Sequence, residues 1–484
     1  MLASPRLWML LLAVAFLAFA FTAATLPATD PDAFWVAAAG RWMLENRAIP
    51  WENGFSFADG DRQWVMHEWL FGAPYALGLR QFGPGFFAGV AVLSAAAATA
   101  MLVIGTSEAW RFEWPGAAVA LFALICFGPR LLTARPGNVA LSLAIAMAAL
   151  SFTFDFGRRS LWVVVLLEWV WANVHGSFPL GVALIFAGAV MEPEDRWRRL
   201  LACALAAAVT LGNPYGPKLH ELVWEYLSGA SPVQEVIREH VLEFQPLWRA
   251  DAFLAARSGS VGLVGCGVMA LGALLTRGFR VRGFLSLALL VEGVLRVRHL
   301  ELAGFVTAVL VAPWAAHVTW RGNPLPTRPA LRTAVAVVLP GLCVAAVAGA
   351  VARPKDPISP LLGGSNAARL AQSLPIDAKV WAPFASTGLV LWYAPEEVRV
   401  LYDGRNDCYS PQVAADAFAL EVEPLGPDQR RALLEKYGVT YVMGDAAHPV
   451  LQAVRGARGW MDFESDGSWV VRTRSSTQSP TGGQ

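Results

Sequence analysis

Long apolar runs separated by short polar segments fill the chain from Leu7 to Val351. A run bounded by charged residues, glycine or proline predicts a helix, and about 20 apolar residues are enough for that helix to span a bilayer. The first run, residues 7–26, has this length, and we expect it to be retained as the first span. Further helices are predicted at residues 84–106, 115–132, 136–156, 161–174, 178–191, 200–212, 252–276, 284–295, 300–320 and 333–351.

The first long polar segment, residues 27–69, is predicted to contain an amphipathic helix. Asp30 stands at the N-cap position and Pro31 at the first helical position, and apolar residues including Phe34 and Trp35 follow at helical spacing. Tryptophan favours the interfacial layer of a membrane, and the segment contains several tryptophans. We therefore expect residues 27–69 to form a first outer loop whose helix lies on the membrane surface.

Beyond Arg353 the composition becomes that of a soluble chain, and predicted strands alternate with helices. This pattern predicts an α/β domain over residues 353–474 and a disordered tail at 475–484. Residues 1–352 are predicted to form an all-α polytopic transmembrane bundle with a second outer loop at 213–250, and a helix is predicted in that loop after Pro217. The predicted strands are 379–383, 398–402, 440–443, 460–464 and 468–472, and the accompanying helices are 367–373, 387–393, 411–419 and 427–437.

The composition is typical of a polytopic membrane protein. Of the 484 residues, 56% are hydrophobic and 15% are charged, and the mean hydropathy is +0.45. A net charge of +1 provides no basic surface, so we expect no nucleic-acid partner. Among the five cysteines there is neither a plausible disulfide framework nor a CxxC metal spacing. The sequence also contains no P-loop, which disfavours an ATP-driven pump.

Arginines in the short loops indicate the orientation of the predicted bundle, because loops rich in Lys and Arg stay in the cytoplasm. With these loops inside, residues 69–82 fit as a surface or re-entrant helix, since a crossing there would place the N-terminus and the Arg158 loop on opposite sides. The expected result is about eleven crossings, a cytoplasmic N-terminus and an external C-terminal domain. The arginines are Arg158, Arg159, Arg196, Arg198, Arg199, Arg277, Arg280, Arg282, Arg321, Arg328 and Arg332.

Two acids, Asp30 and Asp32, lie at the expected membrane edge directly after the first span. A structural role is open to both, since aspartate is a common N-cap and acids in the first turn interact favourably with the helix dipole. At this place a carboxylate can also act as a general base or bind a divalent cation such as Mg²⁺ or Mn²⁺. Farther along the loop, His67 and Glu68 are either an acid/base pair or two interfacial polar residues.

Other polar residues fall at the outer ends of predicted helices. Arg135 directly precedes Pro136, where an arginine can bind a substrate or extend to the lipid headgroups. Asn173 and His175 stand at a predicted break between two helices. They are candidates for substrate binding, and a simple turn between two spans is the alternative.

Arg296 and Arg298 are expected on the outer side, where the positive-inside rule disfavours arginine. An unpaired arginine near hydrocarbon is costly, so these side chains need an anionic partner or access to the headgroups. A lipid phosphate fits, because guanidinium groups bind phosphate through charge-assisted, often bidentate hydrogen bonds. Glu301 is the competing internal partner.

Several short motifs extend over almost the whole chain. They are Asp30-Pro31-Asp32 followed by Phe34, Trp35, Gly40 and Arg41, an IPxxxxFSF motif from Ile49, WVxHEWL from Trp64, ARP from Ala134, WANVHGSF from Trp171, NPYG from Asn213 and DGR from Asp403. In these motifs the sequence resembles the GT-C superfamily of polytopic membrane glycosyltransferases, in particular the family-39-like or mannosyltransferase-like bacterial membrane proteins.

The resemblance implies transfer of a sugar from a polyprenyl-phosphate donor to an envelope glycan, lipid or protein on the outer face of a bacterial inner membrane. It implies that Asp30, with Asp32 next, is the catalytic base or a metal ligand. It makes the C-terminal domain periplasmic, and membrane lipids are expected partners. We expect the substrate-binding residues to be His67, Glu68, Arg135, Asn173, His175, Arg296 and Arg298.

Two alternatives to a glycosyltransferase remain open from the sequence. One is a non-catalytic GT-C-fold subunit in envelope assembly, whose protein partners the sequence does not identify. The other is a transporter or flippase of a lipid-linked sugar. A transporter needs polar residues deep within its spans, and there the sequence offers Glu168 and little else.

Overall fold

The computed structural model describes residues 5–107, 114–153, 156–191, 193, 195–229, 231–319, 330–351 and 356–475. Helices dominate these residues, and a single small sheet forms near the C-terminus. In chain order the α-helices are α1 (Pro5–Thr25), α2 (Pro31–Asn46), α3 (Trp69–Phe82), α4 (Gly85–Gly105), α5 (Trp114–Phe127), α6 (Pro136–Phe152), α7 (Arg158–Val174), α8 (Pro179–Met191), α9 (Arg196–Val209), α10 (Pro217–Ser228), α11 (Pro232–His240), α12 (Ala250–Ala255), α13 (Arg257–Leu275), α14 (Arg280–Leu295), α15 (Leu300–Thr319), α16 (Ala330–Val351), α17 (Gly364–Gln372), α18 (Phe384–Tyr393), α19 (Pro411–Val422), α20 (Pro427–Lys436) and α21 (Pro449–Val454). The strands are β1 (Lys379–Trp381), β2 (Arg399–Val400), β3 (Tyr441–Asp445), β4 (Trp460–Asp466) and β5 (Trp469–Arg474).

The predicted helical runs are confirmed, with shifts of a few residues at their ends. The run at 252–276 is broken at Ala256, whose backbone leaves the helical region at φ −107° and ψ 21°, so α12 and α13 are separate helices. Two short helices, α11 and α21, were not predicted, although each begins with a proline at its first position. The predicted tail at 475–484 lies outside the described residues, apart from Ser475.

Five helical segments of the described chain are long and apolar enough to cross a membrane. Shorter apolar helices occur at Pro136–Phe152, Pro179–Met191, Ala336–Gly349 and Phe384–Tyr393. The protein is therefore a multi-pass membrane protein. The five long segments are Leu7–Thr25, Gly85–Gly105, Trp114–Leu132, Arg257–Leu275 and Val297–Val318.

The chain divides into two compact units, and the first consists of residues 1–26, 87–220 and 241–353. Within it, α1 packs against α5 and α16, while α15 packs against α5, α13 and α14. Helices α6 to α9 form a second group of packed neighbours. Glycines allow some of these close approaches. A Cβ on Gly283 of α14 would lie 2.3 Å from the backbone nitrogen of Leu274 in α13.

Two arginines cap the C-terminal end of α6. Arg199 Nη1 donates to the carbonyl oxygen of Ser151 at 2.7 Å, and Arg282 Nη2 donates to that of Phe152 at 2.5 Å. Cationic side chains suit a helix C-terminus, where carbonyl groups lack intrahelical partners. The arginine-containing starts of α9 and α14 thus meet the same end of α6, whereas Arg135 is the N-cap of α6 at its other end.

The second unit consists of residues 27–86, 221–240 and 354–484. Its sheet has the strand order β2-β1-β3-β5-β4. Strands β2, β1 and β3 are parallel, and β5 joins β3 and β4 in antiparallel pairs. The first polar segment of the chain belongs to the same unit, because Ala28 bridges to Ile358 and Ser56 bridges to Val400.

Helix α2 is a buried helix of this unit, packed between α3 and α18. Its residues from Ala33 to Gly40 are all buried, so no face of that stretch remains to contact lipid. The interpretation of α2 as an amphipathic helix on the membrane surface is therefore wrong. The apolar pattern correctly predicted a helix with an apolar surface, but that surface is covered by other parts of the protein and not by the bilayer.

Glycines and one arginine explain how closely α2 approaches its neighbours. A Cβ on Gly40 would lie 1.8 Å from the carbonyl oxygen of Gly72 in α3, and one on Gly388 of α18 would lie 2.5 Å from that of Pro31. Arg41 donates from Nη2 and Nη1 to the carbonyl oxygens of Leu391 and Trp392, in the last turn of α18. The start of α2 is thereby fixed against the C-terminal part of the chain.

Candidate active site

Asp30 is the N-cap of α2, as the sequence predicts. Its Oδ1 accepts a hydrogen bond from the backbone N–H of Asp32 at 3.0 Å, and Pro31 occupies the first helical position. The residue is only 4% exposed. Asp32 is half-buried, and its Oδ1 accepts from Trp35 Nε1 at 3.0 Å. Local hydrogen bonds thus set the orientation of both carboxylates.

The DGR turn lies directly against Asp32. A Cβ on Gly404 would lie 2.6 Å from Asp32 Oδ1 and 3.0 Å from Trp35 Nε1. Glycine is needed at this position because any larger side chain would displace the carboxylate or the indole. Two motifs that are far apart in sequence are therefore neighbours in the second unit.

A buried ion pair fixes the DGR turn. Arg405 Nε and Nη2 donate to the Asp403 carboxylate at 2.9 and 2.7 Å, and the Tyr409 hydroxyl donates to Asp403 Oδ2 at 2.9 Å. The side chains of Asp403 and Arg405 are both 0% exposed. The guanidinium carbon lies 4.9 Å from the centre of the Phe55 ring and 4.6 Å from that of Trp64. Burial opposes the charge on Arg405, but the nearby Asp403 carboxylate outweighs it and raises the pKa of the guanidinium.

The first-loop tryptophans do not all have the interfacial role predicted for them. Trp35 is 7% exposed and Trp64 is 2% exposed, and their rings meet edge to face with centroids 6.1 Å apart. Both rings pack inside the second unit, where Trp64 covers Arg405. For these two residues the expected membrane-interface position is wrong. Trp51, by contrast, is 46% exposed.

His67 and Glu68 lie in the turn before α3, with His67 Nε2 3.7 Å from Glu68 Oε1. Glu68 is 8% exposed. Tyr75 of α3 is nearby and 2% exposed, and burial together with the charges of Asp30 and Glu68 raises its pKa well above the usual range. The structure therefore brings Asp30, Glu68 and Tyr75 into one electrostatic group. Sequence reasoning missed Tyr75, which is the one hydroxyl-bearing residue of α3 and lies in its apolar first half.

In the first unit, the predicted outer arginines belong to a network of ion pairs. Arg135 Nη1 lies 2.7 Å from Glu243 Oε2, and Arg130 lies 3.8 Å from the same atom. Burial alone would raise the pKa of Glu243, but the charges of Arg135 and Arg298 and the hydrogen bond from Arg135 outweigh burial and lower it to about 2. Glu243 is therefore ionised at neutral pH. Sequence reasoning missed both Arg130 and Glu243.

Arg296 and Arg298 have different surroundings. Arg296 Nη1 forms an ion pair with Glu292 Oε1 at 2.5 Å, one helical turn away. Arg298 lies over the Phe244 ring, 4.2 Å from its centre, and forms no ion pair with any carboxylate in the described residues. Glu301 was expected as the internal partner of these arginines, but it pairs with Arg130 at 3.0 Å.

Asn173 and His175 lie at a turn between two helices, which was the structural alternative. Asn173 is 1% exposed, and its Nδ2 donates to the carbonyl oxygens of Trp169 at 2.8 Å and Gly212 at 3.3 Å. His175 Nδ1 lies 2.8 Å from Ser177 Oγ. The other ring nitrogen, Nε2, faces Gly137 in the first turn of α6, 3.5 Å from where a Cβ would be. His175 therefore lies near the helix end that carries Arg135.

The donor set for a divalent cation is small. No group of three or more His, Cys, Asp or Glu side chains that could hold a metal occurs in the described residues. Asp30 and Asp32 are two carboxylates, and one oxygen of each already accepts a protein hydrogen bond. These two residues alone do not complete a metal site, because Mg²⁺ held by two carboxylates takes the rest of its about six oxygen ligands from water or substrate phosphate.

Several solved membrane glycosyltransferases have the same fold. ArnT from Cupriavidus metallidurans in the apo state aligns over 98% of this chain and 99% of that chain, at 14% identity and a TM-score of 0.55. The same enzyme bound to undecaprenyl phosphate aligns over 97% and 98%, at 15% identity and a TM-score of 0.53. The archaeal oligosaccharyltransferase AglB from Archaeoglobus fulgidus, in complex with an inhibitory peptide and a dolichol-phosphate, aligns over 98% and 75%, at 11% identity and a TM-score of 0.54.

These similarities show that the chain has the GT-C fold, which the sequence motifs had indicated. No protein-family profile matches the chain, and no curated protein matches it in sequence.

Proposed function

We propose that the protein is a glycosyltransferase that moves a sugar from a polyprenyl-phosphate donor to an envelope glycan, lipid or protein. The observation that carries the proposal is the position of Asp30. It is a nearly buried carboxylate, fixed as an N-cap and grouped with Glu68 and Tyr75, in a chain with the GT-C fold. One structure with this fold, ArnT, is bound to undecaprenyl phosphate, which supports a donor of this class.

In the proposed reaction, an acceptor hydroxyl attacks the anomeric carbon of the donor sugar. The bond from that carbon to the phosphate oxygen breaks, and the polyprenyl phosphate leaves with the bonding electrons. Asp30 accepts the proton of the hydroxyl as the new bond forms. Tyr75 lies within electrostatic range of both Asp30 and Glu68, so we assign all three to the same site. Asp32 holds the indole of Trp35 and thereby supports the same loop.

Binding of the donor phosphate is assigned to Arg298. Its neighbourhood contains three guanidinium groups, those of Arg130, Arg135 and Arg298, and two carboxylates, those of Glu243 and Glu301. The ion pairs occupy the first two arginines, so a net positive charge remains at Arg298. Phe244 fixes this guanidinium by stacking, which leaves its N–H groups available to an anion. We assign a supporting role around this phosphate site, without direct binding of the phosphate, to Arg135, Arg296 and His175.

Arg298→Gln is expected to weaken binding of undecaprenyl phosphate by about 10- to 100-fold, the loss typical of a charge-assisted hydrogen bond. The measurement is titration of the purified protein in nanodiscs, followed by native mass spectrometry. Arg257→Gln, which changes an exposed arginine at the start of α13, serves as the control and should bind normally. Equal affinity in the Arg298 variant and the control would show that phosphate binds elsewhere.

We propose about eleven crossings in a bacterial inner membrane, with the arginine-rich end of α6 in the cytoplasm and the Arg135 end outside. The two arginine caps on α6 support this orientation, because they bring two arginine-containing segments, the starts of α9 and α14, to one end of α6. The C-terminal sheet is proposed to be periplasmic. A phosphatase reporter fused after Gln484 should be active, and a reporter active only in the cytoplasm should be silent. The reverse pattern would overturn the orientation.

A transporter of lipid-linked sugar is the second candidate, and one observation favours it. Glu168 of α7 is 0% exposed, and both of its carboxylate oxygens lack a hydrogen-bond partner among the described residues. A Cβ on Gly181 of α8 would lie 1.9 Å from Glu168 Oε2, so glycine provides the space for the carboxyl group. An unpartnered acid inside a membrane bundle is a common mark of ion or substrate passage.

A further inference from the structure

A small cavity opens at the carboxyl ends of β1 and β2 in the second unit. In the sheet, β1 lies between β2 and β3. The chain therefore runs from β1 to β2 in one direction across the sheet and then from β2 to β3 in the opposite direction. In open α/β sheets, ligands commonly bind in the crevice at such a switch of direction. The cavity is lined by Trp381, Ala382, Phe384, Tyr402, Ala417, Phe418 and Glu421.

An internal carboxylate occupies the place that an anionic ligand normally takes in such a crevice. Helix α18 follows β1, and its N-terminus is positioned to bind an anion. Here the backbone N–H of Phe384, the first residue of α18, donates to Glu421 Oε2 at 2.8 Å. A phosphate or carboxylate ligand at this helix end would have to displace Glu421 or lie against its negative charge. The cavity is therefore unsuited to an anion.

The carboxylate of Glu421 has no positively charged partner among the described residues. Its only hydrogen bond among the described residues is the one from Phe384, and no described cation pairs with it. Burial raises the pKa of Glu421, and the hydrogen bond from Phe384 only partly opposes this effect. Removing one charge from water without a counter-charge is unfavourable, so a ligand that brings a positive charge to Glu421 would be stabilised.

The remaining lining is aromatic and narrow. The rings of Phe384, Tyr402 and Phe418 pack with centroids 5.4 to 5.9 Å apart, and Trp381 completes the lining. His240 of α11 stacks on Phe418 at 4.8 Å. Aromatic rings attract cations through their quadrupole. The free volume, about 10 Å³, accommodates about one water-sized group, which is the size of an ammonium head.

We propose that this cavity binds the ammonium group of a primary amine, with Glu421 as its counter-ion. The charge of Glu421 and the aromatic lining together select a cation, and the volume selects a primary ammonium over a bulkier quaternary group. The rest of the amine extends through the mouth of the cavity. This inference is independent of the proposed glycosyl transfer, because it rests on residues that have no part in that reaction.

The test uses the purified full chain and three probes of similar size, namely ethylammonium, ethanol and acetate, at constant ionic strength. Ethylammonium is expected to raise the melting temperature in a saturable way, because a ligand that binds only the folded state stabilises it. Ethanol and acetate should not raise it. Equal shifts with ethanol, or no saturable shift with ethylammonium, would overturn the proposal.

Glu421→Gln removes the charge with little change of shape and should abolish the ethylammonium shift. Glu423→Gln, on an exposed residue just beyond α19, should retain it. A full shift in the Glu421 variant would place the amine elsewhere and overturn the assignment. Free ethanolamine and bilayers containing phosphatidylethanolamine then distinguish the two sources. A response to the free amine indicates a soluble ligand, and a response only to the lipid indicates a headgroup.

Discussion

Asp30→Asn is expected to lower the rate of sugar transfer by about 10²- to 10⁴-fold while the protein remains folded. Asparagine is nearly isosteric with aspartate and is an equally good N-cap, so the hydrogen bond to the N–H of Asp32 can persist. What disappears is a carboxylate able to accept the proton of the acceptor hydroxyl. The measurement is glycan transfer in isolated envelopes that contain equal amounts of folded variant and wild type.

A matched control is available in the same loop. Asp61 is exposed and takes no part in the hydrogen bonds that fix the start of α2, so Asp61→Asn should transfer sugar at the normal rate. Full activity in the Asp30 variant would exclude Asp30 as the base. If Asp32→Asn were also fully active, a non-catalytic subunit would become the better interpretation.

The same assay separates the transporter from the transferase. A transporter that depends on the buried acid of α7 should lose function in Glu168→Gln and retain it in Asp30→Asn. The transferase predicts the reverse order of sensitivity, because its proton acceptor lies in the second unit. Glu168→Gln should even pack well, since an amide is better tolerated than an unpaired carboxylate in a buried site.

Asp403→Asn is expected to destabilise the second unit by about 3 to 5 kcal/mol, the usual cost of leaving one partner of a buried ion pair without its counter-charge. Arg405 is completely buried between the Phe55 and Trp64 rings and cannot reach water. Its charge would then be compensated only by the rings and by neutral hydrogen-bond acceptors. The measurement is denaturant unfolding of the purified protein, followed by near-ultraviolet circular dichroism.

The Arg369–Asp466 pair provides the comparison. The Arg369 side chain is 58% exposed, so Asp466→Asn removes an ion pair that water already screens, and no measurable loss of stability is expected. A second check is the double variant Asp403→Leu with Arg405→Met. It should be less destabilised than the single variant Asp403→Asn, because no unpaired charge remains. Equal stability of Asp403→Asn and wild type would contradict the role given to this pair.

Loss of the Asp403–Arg405 pair should also affect catalysis indirectly. Gly404 lies against Asp32 and Trp35, so a disordered DGR turn would remove one wall of the loop that begins with Asp30. This link was absent from the sequence interpretation, in which DGR was only one of the motifs that carry the resemblance. The roles of Asp403, Gly404 and Arg405 become clear only from the contact between this turn and the start of α2.

The sequence by itself determined the features that depend on neighbours close along the chain. The apolar runs specified the helices because each turn is stabilised by bonds to residues a few positions away. Asp30-Pro31 specified the start of α2 for the same reason, since an N-cap bonds to the next two or three backbone groups. The GT-C motifs specified the fold class, which the similarity to ArnT and AglB confirms.

Only the tertiary structure decided which surfaces these elements share. An apolar face does not reveal whether lipid or protein will cover it, so α2 was assigned to the membrane surface although α3 and α18 enclose it. The sequence likewise did not determine which charged side chains form ion pairs. Glu301 is three residues from Arg298, yet it pairs with Arg130, because helix packing sets which groups meet. Tyr75 joined Asp30 and Glu68 for the same physical reason: contacts across a core depend on packing geometry, which no local pattern encodes.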